Sequence, residues 1–253
     1  AGTKERYKPI KKETTAKKKT HPLKTIKILC RNKYFILITL AFAVIYTSLG
    51  LTGGSRIYYA KYVLGDEMLN STMTMFNYIP TILTIMLIPV FTKRFGKIKA
   101  LFVGFLFYAA GLVLEIAGPV NLPMIYTGLV LQGIGHAALY SCLFAIVGDV
   151  VDYSEWKDGV REEGITYSVT SFGQKIGTGL GTAALGWILA AGHYDGTAAV
   201  QSASAIFAIK GLFLYLPLVI TVIVLIIWYL FMGIDKIYPT VRKELDERRE
   251  KAE

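Results

Sequence analysis

Cysteine is nearly missing from this 253-residue chain: only Cys30 and Cys142 occur, and they offer neither a disulfide framework nor a thiolate metal site. Histidine is scarce as well, and no group of His, Cys, Asp or Glu has the spacing of metal ligands. Charge is missing from long stretches. Charged residues make up 18% of the chain but crowd into its ends and a few short loops, a pattern that excludes an ordinary soluble domain. A secretory signal is also lacking, because about 30 polar, lysine-rich residues precede the first apolar run with no small-residue cleavage pattern. The first residue is Ala1 rather than Met, and the chain is expected to be a fragment or an excised product.

Apolar residues fill 53% of the sequence and are gathered into six runs, at about 34–60, 68–92, 99–118, 122–147, 164–192 and 206–232. Each is near the roughly 20 residues that a helix needs to cross a bilayer. The expected fold is therefore an all-α membrane protein with six transmembrane helices over 34–233, preceded by a basic segment over 1–33 and followed by a tail helix over 234–253. Tyr58, Tyr59 and Tyr62, then Trp187 and Tyr194, then Trp228 and Tyr229 stand where interfacial aromatic belts are expected. Pro80 and Pro89, and Gly50, Gly53 and Gly54, are expected to bend the second and first spans.

The net charge of +10 is unevenly placed. Lys and Arg concentrate in the leader, in the 93–99 loop and in the tail, whereas the alternate connections at 61–67, 118–123 and 192–204 are poor in them. By the positive-inside rule both termini and the 149–163 loop belong on the cytoplasmic side of a multi-pass plasma-membrane protein. Attraction to anionic lipid accounts for the basic leader, so no nucleic-acid partner is expected. In the tail, Lys243 with Glu247 and Glu244 with Arg248 have i,i+4 spacing, which supports an exposed helix without chemistry of its own.

The stretch from Asp149 to Lys175 carries the chemistry. Lys175 sits inside an apolar run, about 11 residues and 16 Å from the expected helix start, too deep to reach either surface easily. A cation at mid-span costs about 2.5–3.5 kcal/mol even on the lenient insertion scale, so it faces a partner or a water-filled cavity. At about 100° per residue, Gly164, Tyr167, Ser171, Gln174, Lys175, Thr178 and Thr182 form one stripe. Ile165, Val169, Phe172, Ile176, Leu180 and Trp187 fall on a lipid-facing side, and Gly173, Gly177 and Gly181 form a face for close helix packing. On the fourth span Gln132, Gly133, His136 and Tyr140 share a face; His136 suits an interhelical hydrogen bond, and Tyr140 offers a sugar an apolar ring with a polar handle. Glu115 and Arg56, near span ends, are expected to snorkel into headgroups. Asp149 and Asp152 lie at a helix C-terminus, which disfavours anions, and so need cations; Arg161 is the nearest, with the Arg94 loop next. Such a cluster suits a gate with closed and open arrangements.

In the run Asp149-Val-Val-Asp152-Tyr153-Ser-Glu155-Trp156-Lys-Asp-Gly159-Val-Arg161-Glu-Glu163-Gly164, with Lys175 twelve residues after Glu163, the chain resembles the glycoside-pentoside-hexuronide:cation symporters of the major facilitator superfamily. The Tyr58 to Gly65 stretch and Lys93-Arg94-Phe-Gly support the resemblance, which covers nearly the whole chain. Thr3-Lys4-Glu5-Arg6 looks like the family's exit from its sixth helix, so the chain corresponds to helices seven to twelve, the C-terminal half. The resemblance implies a secondary transporter that couples Na⁺ or H⁺ to uptake of a sugar or glycoside by alternating access. It places Lys175, Tyr140, Thr170 and Ser171 at the substrate site, with Gln174 and His136 on the same faces, and Asp149, Asp152, Arg161, Glu155 and Arg94 at the cytoplasmic gate. The implied partners are the lipid bilayer and an N-terminal six-helix half, which would hold most of the coupling cation. No resident metal or cofactor is implied. The rival reading, a non-transporting sensor or a membrane-embedded enzyme using Lys175, His136 and Asp149, is disfavoured: reacting groups must lie within hydrogen-bond reach, and Asp149 is far along the helix axis from His136.

Overall fold

The computed structural model describes residues 29–159 and 161–250, which are helical apart from short links. The expected basic segment over 1–33 falls almost wholly outside the described residues. The elements are α1 (Lys33–Tyr62), α2 (Leu69–Ile85), α3 (Ile88–Phe95), α4 (Lys97–Ala117), α5 (Leu122–Asp158), α6 (Glu163–Ala191) and α7 (Ala203–Lys210); a π turn (Gly211–Tyr215) leads into α8 (Leu216–Phe231) and α9 (Gly233–Glu250). Local chemistry starts and stops them. Asn32, Asn121 and Ser202 each accept a hydrogen bond from a backbone N–H of the first turn of α1, α5 and α7. Gly159, left-handed at φ 66°, ends α5.

Among the described residues four helices are long and apolar enough to cross a membrane, and five if the bent α2–α3 pair counts as one span. The α6 helix is not among them, because Lys175, Gln174 and its many Gly, Ser and Thr residues dilute the apolar content. The α2–α3 bend of 55° lies at residues 86–87 rather than at Pro80, which stays inside α2. Pro89 supplies the reason: it has no N–H for the carbonyl of Ile85, where α2 ends, and its ring crowds that carbonyl. By contrast α1 runs unbroken through Gly50, Gly53 and Gly54.

Two further expectations are corrected. The 149–163 segment is not a loop, since α5 continues as helix to Asp158 and leaves only a short link to α6. The expected tail helix over 234–253 is present as α9 from Gly233 to Glu250, but it does not stand apart in solvent. Helix spans 203–248 almost continuously, Pro239 sits within α9, and Val241 and Leu245 are buried. The i,i+4 pairs Lys243–Glu247 and Glu244–Arg248 are present at 4.0 and 3.8 Å on its outer face.

Packing pairs α1 with α6 and α4 with α5 most extensively, and α2 lies on α5. A hydrophobic core of α1, α4, α5, α8 and α9 residues fills the charged end, and a smaller one around Tyr59, Ile125 and Phe213 fills the other. Trp228 belongs to the first core and is fully buried, and Tyr59 to the second, so neither is a belt residue; Trp187 and Tyr229 are exposed. The glycine face of α6 makes the closest contact. A Cβ on Gly173 would lie 3.2 Å from the Thr39 carbonyl oxygen, and Cβ atoms on Gly177 and Gly181 would run into the Ala43 and Thr47 carbonyl oxygens of α1. Gly179 points into open space. Accordingly Gly177→Val should destabilise the protein by at least about 1–3 kcal/mol through overpacking, with Gly179→Ala near neutral. Thermal unfolding midpoints of the detergent-solubilised variants check this, and equal midpoints would refute the contact.

Candidate functional site

The glycine contact turns one side of α6 away from α1. There Tyr167, Ser168, Ser171, Phe172 and Lys175 line an open hollow of about 420 Å³. The Lys175 ammonium has no ion-pair partner among the described residues, and Thr178 and Thr182 continue the stripe, each hydroxyl bonded to the carbonyl one turn back. Gln174 is half-buried and lies outside the hollow. Thr170 does not line it. That residue is fully buried, and its hydroxyl is tied to the Thr166 and Tyr167 carbonyls at 3.1 and 3.0 Å, because its angular position lies nearer the core than the stripe. Phe172, Ile176, Leu180 and Trp187 face outward, but Ile165 and Val169 pack on the core instead of facing lipid.

On α5, His136 Nδ1 lies 3.2 Å from Asn77 Oδ1 of α2, with the Tyr108 and Tyr140 rings 5.1 and 5.8 Å away. A hole of about 20 Å³ beside His136, Tyr108 and Thr221 has room for one water. Nearly half of Tyr140 is exposed, as is Tyr78 of α2. Two charged residues outside the sequence-derived set lie by this wall. Arg56 of α1 does not snorkel outward; its Nη1 donates to Thr74 Oγ1 at 3.1 Å, while Nε is buried without a partner. Glu115 of α4 is fully buried and accepts from Gln132 Nε2 at 2.7 Å. Position near a span end signalled snorkelling for both, but helix rotation turns them inward. Polar Gln132, Asn77 and Thr81 inside apolar runs were the available signal.

At the charged end, α9 folds over α5 and gathers a network. Lys97 Nζ donates to both oxygens of Asp149, at 2.6 and 2.9 Å. Arg161 donates to Asp152 at 2.9 Å and also to Glu155 and Glu163. Tyr238 O–H donates to Asp152 Oδ2 at 2.9 Å, and Trp156 Nε1 donates to Glu244 at 2.7 Å. Burial works against the Arg161 charge, but the three carboxylates outweigh it and hold the guanidinium above its ordinary pKa. The partner of Asp149 is therefore Lys97, not Arg161. Arg94 is directed to the Phe95 ring and has no ion pair among the described residues. Lys97 is set by Gly96, whose φ of 93° and missing Cβ let Asp235 Oδ2 accept from the Ile98 and Lys99 N–H groups and cap α4.

Along α5, Asp149 lies 13 residues from His136, about 20 Å at 1.5 Å per residue, so the two cannot act on one reacting atom. The fold and its polar faces define a multi-pass helical membrane protein. Residues 1–236 match the model of the MFS/sugar transport protein family, and the chain belongs to that family. It is 32% identical over 98% of its length to an isoprimeverose transporter of Lactiplantibacillus pentosus, of which it covers 51%. To a glucuronide carrier protein homolog of Escherichia coli the identity is 26% over 89% of the chain and 50% of that protein. An uncharacterized symporter of Bacillus subtilis is 25% identical over 88% of the chain and 49% of its own length. The chain thus spans about half the length of the curated relatives it matches.

The Lys97–Asp149 pair makes a distinguishing prediction. Asp149→Lys should destabilise the protein by about 1–3 kcal/mol, less than the loss for a fully enclosed pair because Lys97 is a third exposed. Adding Lys97→Asp should recover part of this, whereas adding Arg161→Asp should not. Denaturation of the single and double variants reads the difference.

Proposed function

We propose that this chain is the C-terminal half, helices seven to twelve, of a sugar or glycoside symporter driven by Na⁺ or H⁺. In this reading all six helical segments cross the bilayer, α6 included, since its polar stripe faces an N-terminal six-helix half rather than lipid. The observation that carries it is Lys175: an unpaired cation on a polar stripe, beside an open hollow and held on the face of α6 turned away from the α1 contact. An ammonium placed so deep calls for an anion from outside this half, and a site completed between two halves is how alternating access is built. Ser171 and Tyr167 share the hollow, and Tyr140 and His136 offer a ring and a polar group on α5. The relatives' names fit a saccharide cargo and symport, and their being transporters argues against an enzyme. The coupling cation would be held mainly by the other half.

The charged end is the cytoplasmic face in this reading, with both termini there, in the plasma membrane of a bacterium. Asp152, Arg161, Glu155 and Glu163, together with Lys97 and Asp149, form ties that hold α4, α5, α6 and α9 together at that mouth. Their rearrangement would accompany opening.

In the full-length transporter, Lys175→Val should abolish concentrative sugar uptake, and Lys175→Arg should keep some binding while disturbing cation coupling, because a planar fork differs from a compact ammonium. Normal cation-driven accumulation by Lys175→Val would remove Lys175 from the site. Single cysteines introduced at Ser154 and Ala198 should label from opposite sides of the membrane; labelling of both from outside would overturn the orientation.

A further inference from the structure

Glu115 is the most deeply enclosed carboxyl among the described residues, and the transport reading does not use it. It is 0% exposed between α4 and α5. Space for it exists because Gly128 lacks a side chain: a Cβ there would lie 2.6 Å from Glu115 Cγ and 3.0 Å from its Oε1. Oε1 accepts one hydrogen bond, from the neutral Gln132 amide at 2.7 Å, and Oε2 has no partner. Arg56 of α1 stands in electrostatic range but forms no ion pair with it, being held by Thr74 with its own Nε unpartnered. Two tyrosines also face it among the described residues, Tyr59 of α1, which donates to the Pro119 carbonyl, and Tyr108 on Glu115's own helix; Tyr215 of the π turn faces Tyr59. From α5 it meets Gln132 and Gly128.

This enclosure separates Glu115 from Lys175. The lysine is open toward a second half that can supply an anion; the carboxyl is walled in by this chain's own helices, so no such half can reach it. A bare carboxylate with a single neutral donor is disfavoured there, and an unmatched buried oxygen calls for a ligand. A metal cation does not fit: one free oxygen cannot replace a hydration shell, Arg56 repels a second positive charge, and no grouping of metal-ligating side chains exists among the described residues.

We propose that Glu115 is a proton-binding site, with Oε2 carrying a proton in this conformation. The proton leaves when Arg56 exchanges Thr74 for the carboxylate. In that step the O–H bond breaks, the proton passes to water, and the guanidinium takes over its positive charge, closing both unmatched atoms into one ion pair. Because Thr74 belongs to α2, the exchange links protonation to the α1–α2 contact. The site is distinct from the cation site ascribed above to the missing half.

Infrared difference spectroscopy of the full-length protein in lipid, which needs no transport, tests it. The wild type should show the carbonyl stretch of a protonated, enclosed carboxyl that disappears as the pH is raised. Glu115→Gln should lack that band, Glu115→Asp should shift it if the Gln variant folds poorly, and Arg56→Gln should make it persist to higher pH. Identical wild-type and Glu115→Gln spectra, or a titration indifferent to Arg56, would mean a charged or water-bridged carboxylate and overturn the proposal. In reconstituted vesicles, Glu115→Gln should lose the pH dependence of uptake while retaining sugar binding. If the wild type moves no sugar in any cation gradient, the transport reading fails, and the infrared band still decides Glu115.

Discussion

The close approach of α6 to α1 is the contact on which the rest of the arrangement depends. Three glycines one turn apart let the two backbones meet, and a helix locked along one face has no freedom left to rotate. Lys175 lies about 200° from Gly173 and about 160° from Gly177, so locking the glycines inward holds the ammonium outward. The same lock turns Thr170 into the core and leaves Ser171 at the hollow. A side chain at one glycine would therefore disturb a charge on the opposite face, without touching it.

At the charged end the organising constraint is the helix terminus. The α4 helix begins at a left-handed glycine, and its free N–H groups are met by Asp235 from the far end of the chain. That cap anchors α9 across α5 and brings Tyr238 and Glu244 to Asp152 and Trp156. It also places Lys97 in the first turn of α4, opposite Asp149. Four helix ends are thus joined by charges and hydrogen bonds as well as by the apolar core beneath them. Charged and hydrogen-bonded ties of this kind can exchange partners in water, which a packed apolar seam does less readily.

Two ionisable groups without an ion-pair partner among the described residues show how burial assigns different needs to similar groups. Lys175 and Glu115 are both ionisable residues inside apolar runs. One borders an open hollow; the other is closed off within this chain, where an unpaired charge is costly. Arg56 stands between these cases, tied to a threonine with a donor to spare.

Much of this was legible along the chain. The apolar runs located the starts of the six spans to within a few residues, although α5 continues 11 residues past the fourth run, and the helical period alone separated the glycine face of α6 from the stripe that carries Lys175. The resemblance carried by the Asp149 to Lys175 stretch agrees with the family match over residues 1–236. These are local properties, set by one residue's spacing from the next. Which charges meet was not local. Asp149 pairs with a lysine 52 positions away instead of the arginine 12 positions on, since the stagger of α4 against α5 decides the distance. Glu115 and Arg56 turned inward and Trp228 left the interface for the same reason: a position along a span fixes depth, but only packing against other helices fixes the direction a side chain faces.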